Sequence, residues 1–96
     1  MILTLKEIAE LVGGSVEGDS SLLIKGIGAL DSANSNQISY AVNEKYKDSL
    51  KNSNAGAFII NENLKQFCHK NIILVKNVYL AYSILSNKFK VTQNIE

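Results

Sequence analysis

The stretch AGAFII at residues 55–60 and the stretch NIILV at residues 71–75 decide the fold of this chain. Each is an uncharged, largely apolar run of strand length, and such runs are typical of strands buried within a sheet. Shorter extended stretches are predicted at residues 1–3, 15–17, 22–27 and 38–42. The chain therefore has enough strands for one small sheet.

Helix signals lie between the predicted strands. Thr4 is followed three residues later by Glu7, which is a capping box and predicts a helix that begins after Thr4 and ends at Gly13. Asn43 predicts the N-cap of a short amphipathic helix over residues 44–50, and Asn77 the N-cap of a last helix. Strands interleaved with helices predict an α/β (α+β) fold, with a small mixed β-sheet flanked by two to three short helices.

Length and composition restrict the function. The 96 residues are 46% hydrophobic and carry a net charge of +1, which suits one small domain spanning residues 1–96. All ten basic residues are lysine, and without arginine or a basic excess the chain is a poor candidate for binding duplex DNA. The single cysteine fits a reducing, cytosolic setting, and no apolar run approaches the ~20 residues of a membrane span.

The nucleophilic and metal-binding residue types form no pattern. His69 is the only histidine, and the adjacent Cys68 points its side chain in another direction, so neither a metal site nor a nucleophile–base pair is expected. The first helix resembles the start of a helix-turn-helix, but the residues after Gly14 are acidic and polar and cannot read a DNA groove. We predict no catalytic residue, no metal and no cofactor in this chain.

The segment ISYAVNEKY at residues 38–46 carries the one candidate binding site. Tyr40 and Tyr46 lie six residues apart across a predicted strand-to-helix junction, with Asn43 between them. Two rings at such a junction can face a common gap in which a flat heterocycle stacks, and an Asn amide can pair with the edge of a pyrimidine. Alternatively, Tyr40 packs in the sheet, Asn43 only caps the helix, and Tyr46 is a core contact.

Taken together, several segments resemble the N-terminal domain of the UDP-3-O-acylglucosamine N-acyltransferase (LpxD) family of lipid A biosynthesis, part of lipopolysaccharide and lipid metabolism. The resemblance covers nearly the whole chain and rests on the order of its segments. These are residues 5–14, 16–19, 24–27, Leu30 with Ala33, residues 38–46, 55–57 and 77–82.

The resemblance implies a uridine-binding, UDP-sugar-binding domain with a fold like the N-terminal domain of Mur ligases. Two rings would sandwich the uracil and an Asn would bond its edge, which by motif position are Tyr40, Tyr46 and Asn43. The first ring is commonly Phe in the family, and a Tyr should stack equally well because the ring face makes the contact.

The resemblance also implies what the longer protein does. That protein would be a cytoplasmic bacterial acyltransferase, located at the inner face of the inner membrane. It would transfer a hydroxyacyl group from acyl carrier protein to UDP-3-O-acylglucosamine. Its catalytic residues and trimer contacts would lie in a hexapeptide-repeat β-helix outside this chain, so this chain alone is expected to be monomeric. Its near-neutral, arginine-free composition predicts that it binds no nucleic acid.

Two other interpretations stay open on the sequence. The chain could be the N-terminal UDP-sugar-binding domain of a Mur ligase, which would continue into an ATP-binding P-loop domain rather than into hexapeptide repeats. It could also be a non-catalytic DNA-binding or protein-interaction module, which a basic stripe would favour and the composition does not supply.

Overall fold

The computed structural model describes residues 2–68 and 71–93. The elements in these two ranges are, in chain order, β1 (Leu3–Thr4), α1 (Leu5–Val12), β2 (Ser15–Glu17), β3 (Leu23–Ile24), β4 (Gly26–Ile27), β5 (Gln37–Tyr40), a first 3₁₀ helix (Glu44–Tyr46), α2 (Lys47–Asn52), β6 (Ala57–Ile60), a second 3₁₀ helix (Glu62–Phe67), β7 (Asn71–Leu74) and α3 (Val78–Gln93).

The main sheet of the described residues has five strands in the order β2-β7-β6-β5-β4. Strands β4, β5, β6 and β7 run parallel to one another, and β2 pairs antiparallel with β7 at one edge. Strands β1 and β3 form a separate antiparallel pair. The predicted α/β (α+β) fold with a small mixed sheet is therefore confirmed.

Hydrophobic clusters cover both faces of the sheet. All four residues of β6 are buried, and they alternate between the faces as strand geometry requires. Ala57 and Ile59 pack with buried residues of α1 and α3 on one face, which we call the α1/α3 face. Phe58 and Ile60 pack with Leu50 of α2 and Leu64 of the second 3₁₀ helix on the other, the α2 face.

The predicted helix caps are present. The Thr4 hydroxyl accepts the Glu7 N–H at 3.1 Å, and the Glu7 carboxylate accepts the Thr4 N–H at 2.9 Å, which completes the capping box. Gly13 ends α1 in the left-handed conformation with φ 72°. The Asn77 side chain accepts the Leu80 N–H at 3.0 Å at the start of α3. Each of these caps is formed by residues close together in the sequence, which is why the sequence alone predicts them.

Two details differ from the sequence prediction. The strand predicted over residues 22–27 is split at Lys25, because Leu23–Ile24 pairs with β1 while Gly26–Ile27 pairs with β5 in the main sheet. The helix predicted over residues 44–50 begins as a 3₁₀ turn, and α2 starts only at Lys47. Both differences depend on which partner strand or helix the segment meets.

The remaining sequence predictions concern the connector before β7. Cys68 is half-buried and packs at the edge of the cluster on the α2 face, as a small apolar residue would. His69 lies outside the described residues. The described part of the chain holds no group of three or more His, Cys, Asp or Glu residues that could bind a metal.

In residues 2–68 and 71–93, no helix combines the length and the apolar character needed to span a membrane.

Candidate functional site

An open sheet edge creates the candidate site. Strand β4 pairs only with Gln37 and Ile38 of β5, and the Gly28 N–H then donates to the Ile38 carbonyl at 3.0 Å. Beyond Gly28 the chain leaves the sheet in a turn, in which the Ala33 N–H donates to the Ala29 carbonyl at 2.8 Å. The second half of β5 therefore has β6 on one side and no paired strand on the other.

A cavity of about 350 Å³ occupies this edge, a volume within the usual range of small-molecule sites. It lies at the carboxyl end of β5, and the carboxyl ends of strands are where open α/β sheets bind ligands. Its walls come from the turn after β4, from β5 and the residues that follow it, from the first 3₁₀ helix, from α2, and from the first turn of α3. The lining residues are Ala29, Leu30, Asp31, Ser39, Tyr40, Ala41, Val42, Tyr46, Ser49 and Tyr79.

All four tyrosines of the chain meet at this place, although they span residues 40–82 of the sequence. Tyr40, Tyr46 and Tyr79 line the cavity. Tyr82 contacts the Tyr40 ring, with the ring centroids 4.4 Å apart and the ring planes inclined by 32°. Aromatic pairs at such distances stabilise each other's position, so Tyr82 supports the ring of Tyr40 from outside the cavity.

The three predicted site residues have different surroundings. Tyr40 is half-buried and packs against the cluster on the α1/α3 face, whereas Tyr46 is 38% exposed. The alternative interpretation is therefore correct in that Tyr40 packs in the sheet against the core, and wrong in that Tyr46 is exposed rather than a core contact. Asn43 is exposed and is the N-cap of the first 3₁₀ helix, where its side-chain oxygen accepts the Lys45 N–H at 3.1 Å. The structure thus brings Tyr40 and Tyr46 to one cavity and places Asn43 between them in the chain, outside the set of lining residues.

Several members of the site are not predicted from the sequence. Tyr79 is 64% exposed and lines the cavity, and Tyr82 lies one helical turn later. Both lie in the predicted last helix and within residues 77–82, one of the segments that carry the family resemblance. The signal that could have found them is two tyrosines at i and i+3 near the N-terminus of a helix, since this pair faces one direction. Ser39, Asp31 and Ser49 gave no sequence signal.

The charged groups at the cavity have opposite signs. The exposed Asp31 contributes a carboxylate to the lining. The Lys45 ammonium lies 5.1 Å from the centroid of the Tyr46 ring, close enough for a cation–π contact. Partial burial raises the pKa of the Tyr40 phenol above its usual value of 10.0, and the neighbouring Tyr82, Tyr79 and Tyr46 raise it further. At neutral pH the Tyr40 phenol is therefore uncharged, and one acidic and one basic side chain lie near the cavity.

We expect the Tyr40 phenol to make unfolding pH-dependent in the alkaline range. Because its pKa is higher in the folded chain, the stability that it contributes is present below pH 10.0 and is lost as the pH rises through the folded pKa. The free energy of unfolding of Tyr40→Phe should therefore fall less between about pH 9 and about pH 11 than that of the unaltered chain. Urea unfolding at both pH values measures this difference. Equal pH dependence of Tyr40→Phe and the unaltered chain would contradict the expectation.

Two other cavities in the described residues are larger, but neither contains an aromatic ring. One of about 480 Å³ is lined by uncharged residues around Gly56 and Asn71. The other, of about 640 Å³, lies by the end of α1 and the start of α3 and carries Glu62 and Lys76. Volume alone does not identify a binding site, and the cavity at Tyr40 is the one that combines rings with polar groups.

Comparison with known proteins agrees with the resemblance. The family model for UDP-3-O-(3-hydroxymyristoyl) glucosamine N-acyltransferase, LpxD, matches residues 21–88. The UDP-3-O-acylglucosamine N-acyltransferase of Vesicomyosocius okutanii subsp. Calyptogena okutanii is 39% identical over 92 residues, which are 96% of this chain and 27% of that protein. The enzyme of the same name from Ruthia magnifica subsp. Calyptogena magnifica is 42% identical over 87 residues, which are 91% of this chain and 26% of that protein.

A third relative of that name, from Shewanella denitrificans, is 34% identical over 92 residues, again 96% of this chain and 27% of the relative. The chain thus spans about a quarter of the length of the curated relatives that it matches. The matched residues 21–88 include the open edge of β5, the first 3₁₀ helix and the first turns of α3, and so all the residues that line the cavity at Tyr40. By sequence and by the extent of the match, this chain belongs to the LpxD family of N-acyltransferases.

Proposed function

We propose that this chain is a nucleotide-recognition domain that binds the uridine part of UDP-3-O-acylglucosamine. The observation that carries the proposal is the convergence of Tyr40, Tyr46 and Tyr79 on one cavity at the carboxyl end of β5. The names of the relatives supply the substrate class, because an enzyme of that name must hold a UDP-linked sugar. A flat base with polar edges suits a cavity whose walls are rings and whose neighbours are amides and hydroxyls.

In the proposed complex the uracil stacks between Tyr40 and Tyr46. Tyr82 holds the Tyr40 ring from behind, so the inner ring is rigid and the exposed Tyr46 ring closes the stack. The oxygen of the Asn43 side chain already accepts the Lys45 N–H, which leaves its amide N–H groups as donors. Such a donor can pair with the 4-carbonyl of uracil. Cytosine carries an amino group at the same position, which is itself a donor and therefore cannot accept this hydrogen bond.

The chemistry of the longer protein is also part of the proposal. That protein would transfer a hydroxyacyl group from acyl carrier protein to the amine of the UDP-linked sugar, in lipid A biosynthesis and in the bacterial cytoplasm. The residues of this chain would bind and orient the nucleotide end and perform no bond-forming step. By itself the chain would be a monomer, and trimer contacts would belong to the remainder of the protein.

Family membership weighs against both other interpretations of the sequence. The family model that matches residues 21–88 describes an N-acyltransferase, and not a Mur ligase or a DNA-binding module. The ten lysines are nearly balanced by nine acidic residues, so no charge excess favours a nucleic-acid partner.

The test compares UMP with CMP as ligands of the 96-residue chain. Because only a base and a few contacts are involved, we expect a Kd for UMP on the order of millimolar, and weaker binding of CMP. Asn43→Ala should weaken UMP binding only about threefold, but should bring the two Kd values together. Titration followed by NMR measures each Kd.

The matched control for this substitution is Asn61→Ala. Asn61 caps the second 3₁₀ helix as Asn43 caps the first, with its side-chain oxygen accepting the Asn63 N–H at 3.1 Å. Asn61→Ala should therefore cost a similar amount of stability and leave both Kd values unchanged. Equal binding of UMP and CMP by the unaltered chain would contradict the role given to Asn43, and the absence of any UMP binding would contradict the proposed function.

A further inference from the structure

Ser39 is a buried polar residue in the wall of the cavity at Tyr40. It is 2% exposed, and its hydroxyl has no hydrogen-bond partner among the described residues. Buried hydroxyls in proteins nearly always have a partner, because leaving one unpaired in an apolar setting is costly. The exceptions therefore require an explanation, and one explanation is a partner that arrives from outside the chain.

The surroundings of Ser39 offer no partner from the sheet. Ser39 pairs in register with Phe58, so its side chain lies on the α2 face of the sheet, while the next residue, Tyr40, packs on the α1/α3 face. Both residues nevertheless line one cavity, because the edge of β5 is open at this point. The cavity is thus lined by Tyr40 from one face of the sheet and by Ser39, whose hydroxyl is buried, from the other.

We propose that the Ser39 hydroxyl forms a hydrogen bond with the polar edge of the pyrimidine bound at this cavity. This inference rests on the proposed function and adds a specificity-determining residue to it. A hydroxyl can donate to a base carbonyl or accept from a ring N–H, so it can complete the recognition of either group. Stacking on Tyr40 and Tyr46 is tolerant of base identity, whereas a hydrogen bond at the base edge is not.

The proposal predicts opposite effects of Ser39→Ala on stability and on binding. The variant removes an unpartnered polar atom, so its midpoint of urea unfolding should equal or exceed that of the unaltered chain. Its Kd for UMP should rise about fivefold, since a hydrogen bond available only in the complex is lost. The matched control is Ser53→Ala, at a second buried serine that does not line this cavity and whose hydroxyl accepts the Ala55 N–H at 3.2 Å. This control should lower the unfolding midpoint, because it removes a formed hydrogen bond, and should leave the Kd for UMP unchanged.

A second ligand distinguishes a lost hydrogen bond from a change in cavity shape. Three UMP analogues each alter one polar group of the base: 2-thio-UMP and 4-thio-UMP replace one carbonyl oxygen by sulfur, a weaker acceptor, and 3-methyl-UMP lacks the ring N–H. For the analogue that lacks the partner of Ser39, the Ser39→Ala substitution should cause little further loss of affinity. A full and equal loss with all three analogues would overturn the proposal.

The remaining outcomes are equally decisive. If Ser39→Ala binds UMP as tightly as the unaltered chain, the proposal is wrong while the proposed function stands. If Ser39→Ala lowers the unfolding midpoint, the hydroxyl has a structural partner in the free chain and the proposal is again wrong. If the unaltered chain does not bind UMP, the proposed function fails, and the role of Ser39 fails with it.

Discussion

Replacing Tyr46 by alanine is expected to raise the Kd for UMP about tenfold, because stacking of one base on one aromatic ring contributes about 1–3 kcal/mol. The unfolding free energy should change little, since the ring is 38% exposed and the first 3₁₀ helix has no buried residue. Tyr40→Ala should raise the Kd by a similar factor and in addition destabilise the chain by about 2 kcal/mol. That difference follows from the contact of Tyr40 with Tyr82 and with the core on the α1/α3 face.

Phenylalanine at each position is the control for this pair of substitutions. Tyr40→Phe and Tyr46→Phe keep the ring and remove only the hydroxyl, so both should bind UMP nearly as well as the unaltered chain. Calorimetric or NMR titration gives the Kd values, and urea unfolding gives the stabilities. If Tyr46→Ala binds as tightly as the unaltered chain, the ring takes no part in binding.

The largest effect on stability is expected at Phe58. Its side chain is fully buried at the centre of the cluster on the α2 face, and Phe58→Ala should lower the free energy of unfolding by about 3–5 kcal/mol. A single small domain has only about 5–15 kcal/mol in total, so this loss is a large fraction of the stability. Urea unfolding followed by circular dichroism measures the loss.

Phe67→Ala is the comparison for Phe58→Ala. Phe67 is half-buried at the border of the same cluster, where the ammonium groups of Lys47 and Lys51 lie 5.9 and 5.6 Å from its ring centroid. Its removal should cost about 1 kcal/mol, because part of the ring already contacts water. Equal losses for the two variants would contradict the position of Phe58 at the centre of the cluster.

Much of the fold follows from local signals in the sequence. The capping box of Thr4 and Glu7 and the N-caps at Asn43 and Asn77 each depend on neighbours within four residues, so the sequence alone predicts them. The two apolar runs form the strands β6 and β7 inside the sheet, as predicted, because their composition and length are enough to indicate buried strands. In contrast, the division of residues 22–27 between two sheets depends on β1 and β5, which are distant in sequence.

The candidate site divides in the same way. Tyr40, Asn43 and Tyr46 could be grouped from the sequence because they lie on one strand-to-helix junction. Tyr79 and Tyr82 join them only because α3 packs across the sheet beside β5, and Asp31 joins because the chain turns away after the short strand β4. These contacts depend on tertiary packing, which local residue patterns do not specify.

The most direct test of uracil binding at the cavity is a set of NMR distances between the base and the rings. In the 96-residue chain saturated with UMP, we expect nuclear Overhauser effects from the uracil H5 and H6 protons to the ring protons of both Tyr40 and Tyr46. Amide shift changes should concentrate at residues 40–46. Effects from the base protons to another surface, with residues 40–46 unshifted, would show that the cavity at Tyr40 is not the binding site.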